Sequence, residues 1–285
     1  MIHSRTLATR IGSLLLAVRI ACVVDAADDV RPPSAPSVVA GDGTGLLIAD
    51  AREPGIFRCF EEGRCAVFAP GSPKQRTPLR AVTALAIDRD GMLFAADRAT
   101  REIYRVERGK PPVALSGAAF EVPTGLALDQ GGKLIVCDLR LGIVARLSPD
   151  GGAPETLARV PSPRGIALTC EGDIVVLSMG PDQLLRVRAD GTVLPLVKGR
   201  PFQFPLALVR DVARRRWLVS DGYARTIWEV TDTGAVSPWL QGEPLVRPSS
   251  LYVRDNGEVF VADPGAGKIF RVTGPHAIRP WPETR

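Results

Sequence analysis

Leu134 to Arg146 reads LIVCDLRLGIVAR, and Val259 to Arg271 reads VFVADPGAGKIFR. Each is an apolar run that ends in aspartate, crosses a loop and reaches an arginine eight residues after that aspartate. The unit occurs six times. Asp50, Asp97, Asp138, Ser178, Asp221 and Asp263 hold its first position, and Arg58, Arg105, Arg146, Arg186, Glu229 and Arg271 its second. Serine thus replaces aspartate once, and glutamate replaces arginine once. Successive copies begin 47, 41, 40, 43 and 42 residues apart. A period near 40 residues with strand patterns inside it marks a propeller or a solenoid.

The second copy shows what one unit contains. Val82 to Asp88 (VTALAID) is an apolar strand, Arg89-Asp90-Gly91 a turn, and Met92 to Asp97 (MLFAAD) a second strand. A loop over Arg98 to Arg101 leads to a third strand, Ile103 to Val106, and a turn leads to a fourth at Val113 to Ser116. Four short antiparallel strands in about 40 residues make one propeller blade. Turn signals recur in register: Gly131-Gly132, Glu171-Gly172 and Asn256-Gly257 after first strands, Asp150-Gly151, Asp190-Gly191 and Thr233-Gly234 after third strands. The strands read as continuous apolar runs, such as Leu46-Leu47-Ile48-Ala49 and Ile174-Val175-Val176-Leu177. Strands covered on both faces read this way. Helical repeats are excluded because the apolar residues are contiguous and β-branched, and the coils of a β-solenoid are normally shorter. The expectation is an all-β, six-bladed β-propeller with four antiparallel strands per blade. Its blades fall at about 36–71, 80–117, 122–158, 162–198, 204–241 and 247–281 of one domain, 36–285. Counting back twelve from each strand-end position places first-strand anchors at Val38, Leu85, Leu126, Ile166 and Leu251; the fifth copy needs thirteen, to Leu208. The extra residue lies in Asp211 to Arg216, expected as a solvated loop. Both ends supply whole blades, so no shared closing strand is expected.

The chain has 285 residues with 25 Pro and 28 Gly, which suits many short strands joined by tight turns. A net charge of +5, with no cationic run beyond Arg214-Arg215-Arg216, does not call for a nucleic-acid partner. Residues 1–26 read as a secretory signal: Arg5 and Arg10 are basic, Ile11 to Val24 is mostly apolar, and Val24-Asp25-Ala26 offers a cleavage site. That run is too short for a membrane span. A lipid anchor at Cys22 is the alternative. Residues 27–35 read as a polar linker. The mature chain is expected to be exported and monomeric, and to retain Cys59, Cys65, Cys137 and Cys170. A hairpin turn over Glu61-Glu62-Gly63 would set Cys59 opposite Cys65 and allow a disulfide; two free thiols are the other reading. Cys137 and Cys170 fall at opposite ends of a blade and are not expected to pair.

Pro123-Thr124-Gly125-Leu126-Ala127-Leu128-Asp129 and Pro163-Arg164-Gly165-Ile166-Ala167-Leu168 resemble the opening of the NHL repeat. Val261-Ala262-Asp263 and Phe94 to Asp97 match its strand end. Over residues 36 to 281 the chain resembles the six-bladed NHL and SMP-30/gluconolactonase superfamily. The resemblance implies the fold. For function it implies a binding scaffold, a lactonase or a lyase alike. The asparagine that often follows the strand-end aspartate in NHL repeats is missing from every copy.

A ring of carboxylates at Asp50, Asp97, Asp138, Asp221 and Asp263 could serve a metal, but a residue required once per blade is expected to be structural. Each would accept backbone N–H groups in its own loop. The arginine row is expected to lay its stems between blades with the heads satisfied at the edge. Function should sit where copies differ. Starts of first strands and loops after second strands share one face around the channel. Those positions include Thr83, Thr124, Arg164, Leu206 and Ser249, with Arg52, Glu53, Arg98, Arg140, Asp182, Tyr223 and Arg225. The set is polar and basic. It suits a small polar or anionic molecule, or a protein partner, held by Arg98, Arg140, Arg164 and Arg225, with Tyr223, Thr83, Thr124 and Ser249 beside them; ordinary solvated loops are the bland reading.

An enzyme reading fares less well. Lactonases of the resembling superfamily use Glu, Asn and Asp at inner-strand starts, and this chain has none there. Calcium is conceivable only through the strand-end aspartates. His3 leaves with the signal and His276 is expected to start the outermost strand of the last blade, so histidine chemistry and zinc are disfavoured. Asp182, Asp221 and Glu53 are the surviving candidates for carboxylate chemistry. The expectation is a binding module without a cofactor, with a metal-dependent lactonase-like hydrolase as the alternative.

Overall fold

The computed structural model describes residues 30–275 and 277–282. The signal segment, its cut near Ala26, the Cys22 alternative and His276 lie outside them. Among the described residues there is no helix, hence none long and apolar enough to cross a membrane. The first blade is β1 (Pro36–Gly41), β2 (Leu46–Asp50), β3 (Gly55–Cys59) and β4 (Cys65–Pro70). The second is β5 (Val82–Ile87), β6 (Leu93–Asp97), β7 (Glu102–Val106) and β8 (Val113–Ala114). The third is β9 (Pro123–Leu128), β10 (Leu134–Asp138), β11 (Ile143–Leu147) and β12 (Glu155–Arg159). The fourth is β13 (Pro163–Leu168), β14 (Ile174–Ser178), β15 (Leu184–Val187) and β16 (Val193–Val197). The fifth is β17 (Pro205–Asp211), β18 (Arg216–Asp221), β19 (Thr226–Thr231) and β20 (Val236–Gln241). The sixth is β21 (Ser250–Val253), β22 (Val259–Asp263), β23 (Lys268–Gly274) and β24 (Ala277–Trp281). Each blade is a four-stranded antiparallel sheet of consecutive strands, as a six-bladed propeller requires.

The core is distributed between the blades. Successive residues of a strand face opposite ways. In β6, Leu93 and Ala95 pack toward the first blade, while Phe94 and Ala96 pack toward the third. In β10, Leu134 and Val136 face the second blade, Ile135 and Cys137 the fourth. Every second strand is buried along its whole length, which explains its unbroken apolar spelling.

Two local expectations need correction. In five blades the residue paired two positions before the strand end is Leu85, Leu126, Ile166, Leu208 or Leu251. In the first blade it is Val39, opposite Ile48, rather than Val38. The turn after β1 is one residue shorter, with Asp42 accepting the Thr44 and Gly45 N–H groups to close it. The second correction concerns the two ends of Asp211 to Arg216, because residues 212–215 are exposed as expected but the ends are not. Arg216 is only 6% exposed and Asp211 is fully buried. The Arg216 guanidinium bonds Asp211 at 2.9 Å, bonds Glu229, and lies over the Trp239 ring. This explains the glutamate in the arginine row. Elsewhere the row places arginine against a carboxylate near the first hairpin: Arg58 with Asp42, Arg146 with Asp129, Arg271 with Glu258. The fifth blade keeps the pair and reverses its signs.

No strand is shared where the ring closes. β1 packs beside β21 and β22, and Val30 bridges to Cys65 at the outer edge of the first blade. Cys59 and Cys65 are a disulfide across a hairpin with Cα atoms 4.1 Å apart, and Gly63 takes the left-handed φ of 89° that its turn requires. Cys137 and Cys170 are free thiols, the first buried and the second exposed.

Candidate functional site

The upper face is the end at which first strands start and second strands finish. There the strand-end aspartates are local acceptors. Asp138 takes four backbone N–H groups, from Glu121, Val122, Arg140 and Leu141, at 2.7–2.9 Å. Asp97, Asp221 and Asp263 likewise bind the chain before their own first strand and the loop after their second. Asp50 accepts from Ala35, Arg52 and Glu53. Ser178 reverses half of this pattern. Its hydroxyl accepts from Gly180 N–H but donates to the Pro161 carbonyl at 2.7 Å. Proline has no N–H to offer a carboxylate, so a donor side chain is needed there.

The rim hydroxyls are also engaged. Thr83 Oγ1 donates to the Pro123 carbonyl of the next blade at 2.7 Å, and Thr124 Oγ1 to Pro163 at 3.0 Å. Ser249 Oγ donates to Ser37 at 2.8 Å, across the ring closure. These three residues tie neighbouring blades together. Between the fifth and sixth blades the tie comes from the second strand, where Ser220 Oγ donates to the Ser249 carbonyl. An axial cavity of about 160 Å³ opens among these rim residues, lined by small and apolar side chains.

Arg164 holds the same rim position and makes no such tie. Gly165 lets the fourth and fifth blades meet backbone to backbone instead: a Cβ there would lie 2.7 Å from Leu208 N. The Arg164 guanidinium lies over the Phe204 ring, 4.5 Å from its centroid. Phe204 in turn stacks on Tyr223, with centroids 4.5 Å apart and planes 16° from parallel. Tyr223 is 66% exposed. Arg164 Nε is buried and, among the described residues, has no hydrogen-bond partner. Burial pushes the guanidinium pKa down from its usual value, opposed by the nearby Tyr223. Beneath it, Cys137 Sγ donates to the Arg164 carbonyl at 3.1 Å, and burial pushes that thiol pKa up to about 12.

The structure therefore joins Arg164 and Tyr223 through a residue that the sequence reading passed over. The residues two positions before the six rim residues are Ala35, Ala81, Val122, Ser162, Phe204 and Arg247. One aromatic among them is the signal that aligning the repeats on their aspartates would have exposed. The other arginines are placed separately. Arg140 pairs with Glu121 at 2.7 Å, and Arg225 Nε donates to the Leu245 carbonyl. Arg98 is exposed in the loop after β6. Asp182 accepts from Gly199 N–H. Arg52 and Glu53 are exposed after β2, and Leu206 is a rim residue of the cavity.

The donor set does not fit the calcium of a lactonase-like centre. Among the described residues, no three His, Cys, Asp or Glu side chains come together to hold a metal ion. The strand-end aspartates direct their oxygens at backbone N–H groups, and the rim positions are Ser37, Thr83, Thr124, Arg164, Leu206 and Ser249.

No family model matches this sequence, and no curated protein matches it. Solved structures do. Virginiamycin B lyase from Staphylococcus aureus is 17% identical with a TM-score of 0.68, covering 90% of this chain and 87% of its own. The nidogen/laminin complex is 17% identical with a TM-score of 0.70, over 84% and 92%. The gluconolactonase XC5397 from Xanthomonas campestris is 16% identical with a TM-score of 0.69, over 88% and 87%. All are six-bladed propellers, and at these identities the likeness is one of fold.

Proposed function

We propose that this protein is an exported propeller whose upper face binds a polar or anionic ligand or protein partner. The observation that carries this reading is Arg164. It is a half-buried cation on the upper face, its guanidinium over the Phe204 ring and without an ion pair or hydrogen bond among the described residues. A guanidinium without a counter-charge is a ready partner for an anion, which would meet its Nη groups rather than the enclosed Nε. The Cys59–Cys65 disulfide fits an oxidising compartment, in line with the basic and apolar start of the chain.

The neighbours in fold include two enzymes, and a histidine-to-alanine variant of the lyase is catalytically inactive. The rim of this propeller carries no histidine and no carboxylate side chain. Binding is therefore the better-supported reading. The test is to screen the immobilised protein against acidic and neutral glycans and acidic peptides, beside a variant carrying Arg164→Thr and Arg225→Ala. Anionic hits that weaken at least tenfold in the variant are the expected result. Hits bound equally by both proteins would sink the reading.

A further inference from the structure

Four features of the fourth and fifth blades narrow the ligand, on the premise that the upper face is a binding face. First, the Arg164 side chain makes no hydrogen-bonded tie between blades. Thr83, Thr124 and Ser249 spend the same rim position on tying blades, whereas the joint beside Arg164 closes through Gly165. Second, among the described residues no ion pair or hydrogen bond engages its guanidinium, and the strand end beside it is the neutral Ser178 where five blades have aspartate. Third, the guanidinium is pinned. Phe204 covers it on one side and Nε is enclosed, which leaves the two Nη groups to a ligand. That pair of donors matches a carboxylate with two parallel hydrogen bonds. A doubly charged phosphate gathers several cations, but the nearby Arg200 spends Nη1 on the carbonyls of Met179 and Gly180.

The fourth feature is Tyr223. Its ring continues the stack from Phe204 and is 66% exposed beside the mouth. Cation and open ring thus sit two successive 4.5 Å steps apart, across the joint between two blades. The axial cavity, about 160 Å³, is too small to take a drug-sized molecule, for which pockets are typically ≈ 300–1,000 Å³. A ligand that meets both groups must lie across the face. The open ring stays wet, so an entirely apolar partner would bury little area there. A sugar ring, apolar on its faces and polar at its rim, loses little in such a place.

We infer that the Arg164–Phe204–Tyr223 stack binds an acidic oligosaccharide, with Arg164 holding the carboxylate of one uronate unit and Tyr223 supporting the flat face of a neighbouring sugar. The probe is trigalacturonate, titrated calorimetrically into the full chain. Its fully methyl-esterified form, galactotriose and inorganic phosphate are run beside it. Trigalacturonate is expected to bind at least tenfold more tightly than each of the other three. Arg164→Lys keeps the charge but loses the planar fork, and Tyr223→Ala loses the platform; each should weaken trigalacturonate at least tenfold. Arg188→Ala, in a turn at the opposite end of the fourth blade, should leave it unchanged. Circular dichroism and melting of each variant establish that it is folded. Equal binding of the ester or of galactotriose overturns the inference, as does full binding by Arg164→Lys. Phosphate binding that depends on Arg164 overturns the ligand class and leaves the binding face standing. Silence from trigalacturonate overturns the inference, and the binding face itself then stands or falls on the glycan and peptide screen.

Discussion

Glu61 Oε2 on the first blade accepts a hydrogen bond from Trp281 Nε1 on the last, at 2.9 Å across 220 residues of sequence. The other oxygen meets Arg254 at 2.8 Å, and Arg271 lies 3.5 Å away. With no shared strand at the closure, this carboxylate joins the two ends of the ring beside the Ser249–Ser37 and Val39–Ser250 hydrogen bonds and the apolar packing of Val39, Ile48, Phe260 and Trp281. Glu61→Ala should lower unfolding stability by about 1 kcal/mol, since the side chain is 44% exposed and its ion pairs are partly screened. Hydrogen exchange should quicken in β1 and β22 to β24 and stay unchanged in β10. Uniform quickening would refute Glu61 as a local link.

The same link responds to acid. Burial opposes ionisation of Glu61, but hydrogen bonds from Trp281 and Arg254, with the charges of Arg254 and Arg271, outweigh it, and its pKa falls below 4.5. Burial likewise opposes ionisation of Glu258, and bonds from Asn256 and Arg271 outweigh it. A carboxylate with a lowered folded pKa stabilises the fold above its unfolded pKa and loses that contribution as pH falls through the folded value. Stability should therefore be level above pH 4.5 as far as these two groups are concerned, and fall below it. Glu61→Gln should flatten part of that fall in urea titrations at successive pH values.

Glu61 stands in the hairpin that the Cys59–Cys65 disulfide closes. Opening so short a loop costs about 2 kcal/mol on the chain-entropy model. Dithiothreitol, or Cys59→Ser with Cys65→Ser, should lower the melting temperature. The loss should overlap with that of Glu61→Ala in a double-mutant cycle, because both act on one hairpin.

The strand-end positions should answer substitution in opposite ways. Asp138→Ala leaves four partly buried N–H groups without their acceptor and should cost about 2 kcal/mol or more. Ser178→Asp restores the residue of the other five copies, yet it sets a carboxylate against the Pro161 carbonyl and should destabilise by about 2 kcal/mol. A stabilised Ser178→Asp protein in chemical denaturation would refute this account of the exception.

The two free thiols among the described residues should differ in reactivity. Cys170 is exposed, whereas Cys137 is buried with its pKa raised to about 12. The thiolate is the reactive form. Iodoacetamide on the native protein should modify Cys170 alone, and Cys137 only after unfolding, as read by mass spectrometry.

The legible features were local ones. Leu134 to Asp138 is apolar at every position because both of its faces are covered, and a turn such as Asn256-Gly257 announces itself without reference to a partner. Misreadings came from one-residue differences in turn length, as at Val38 and Val39, and from pairings that reverse together, as at Arg216 and Glu229.

By itself the sequence determined the blade count, the strand pattern and the structural character of the aspartate row, because a period near 40 residues and the apolar runs inside it record what every blade must do alike. Tertiary structure alone decided which rim residues are spent and which are free. Thr83 reaches a carbonyl 40 residues on, and Arg164 meets a ring that belongs to the next blade. Such contacts depend on how neighbouring blades are rotated about the axis. No local pattern in the chain encodes that rotation, so Thr83 and Arg164 look alike until the ring is closed.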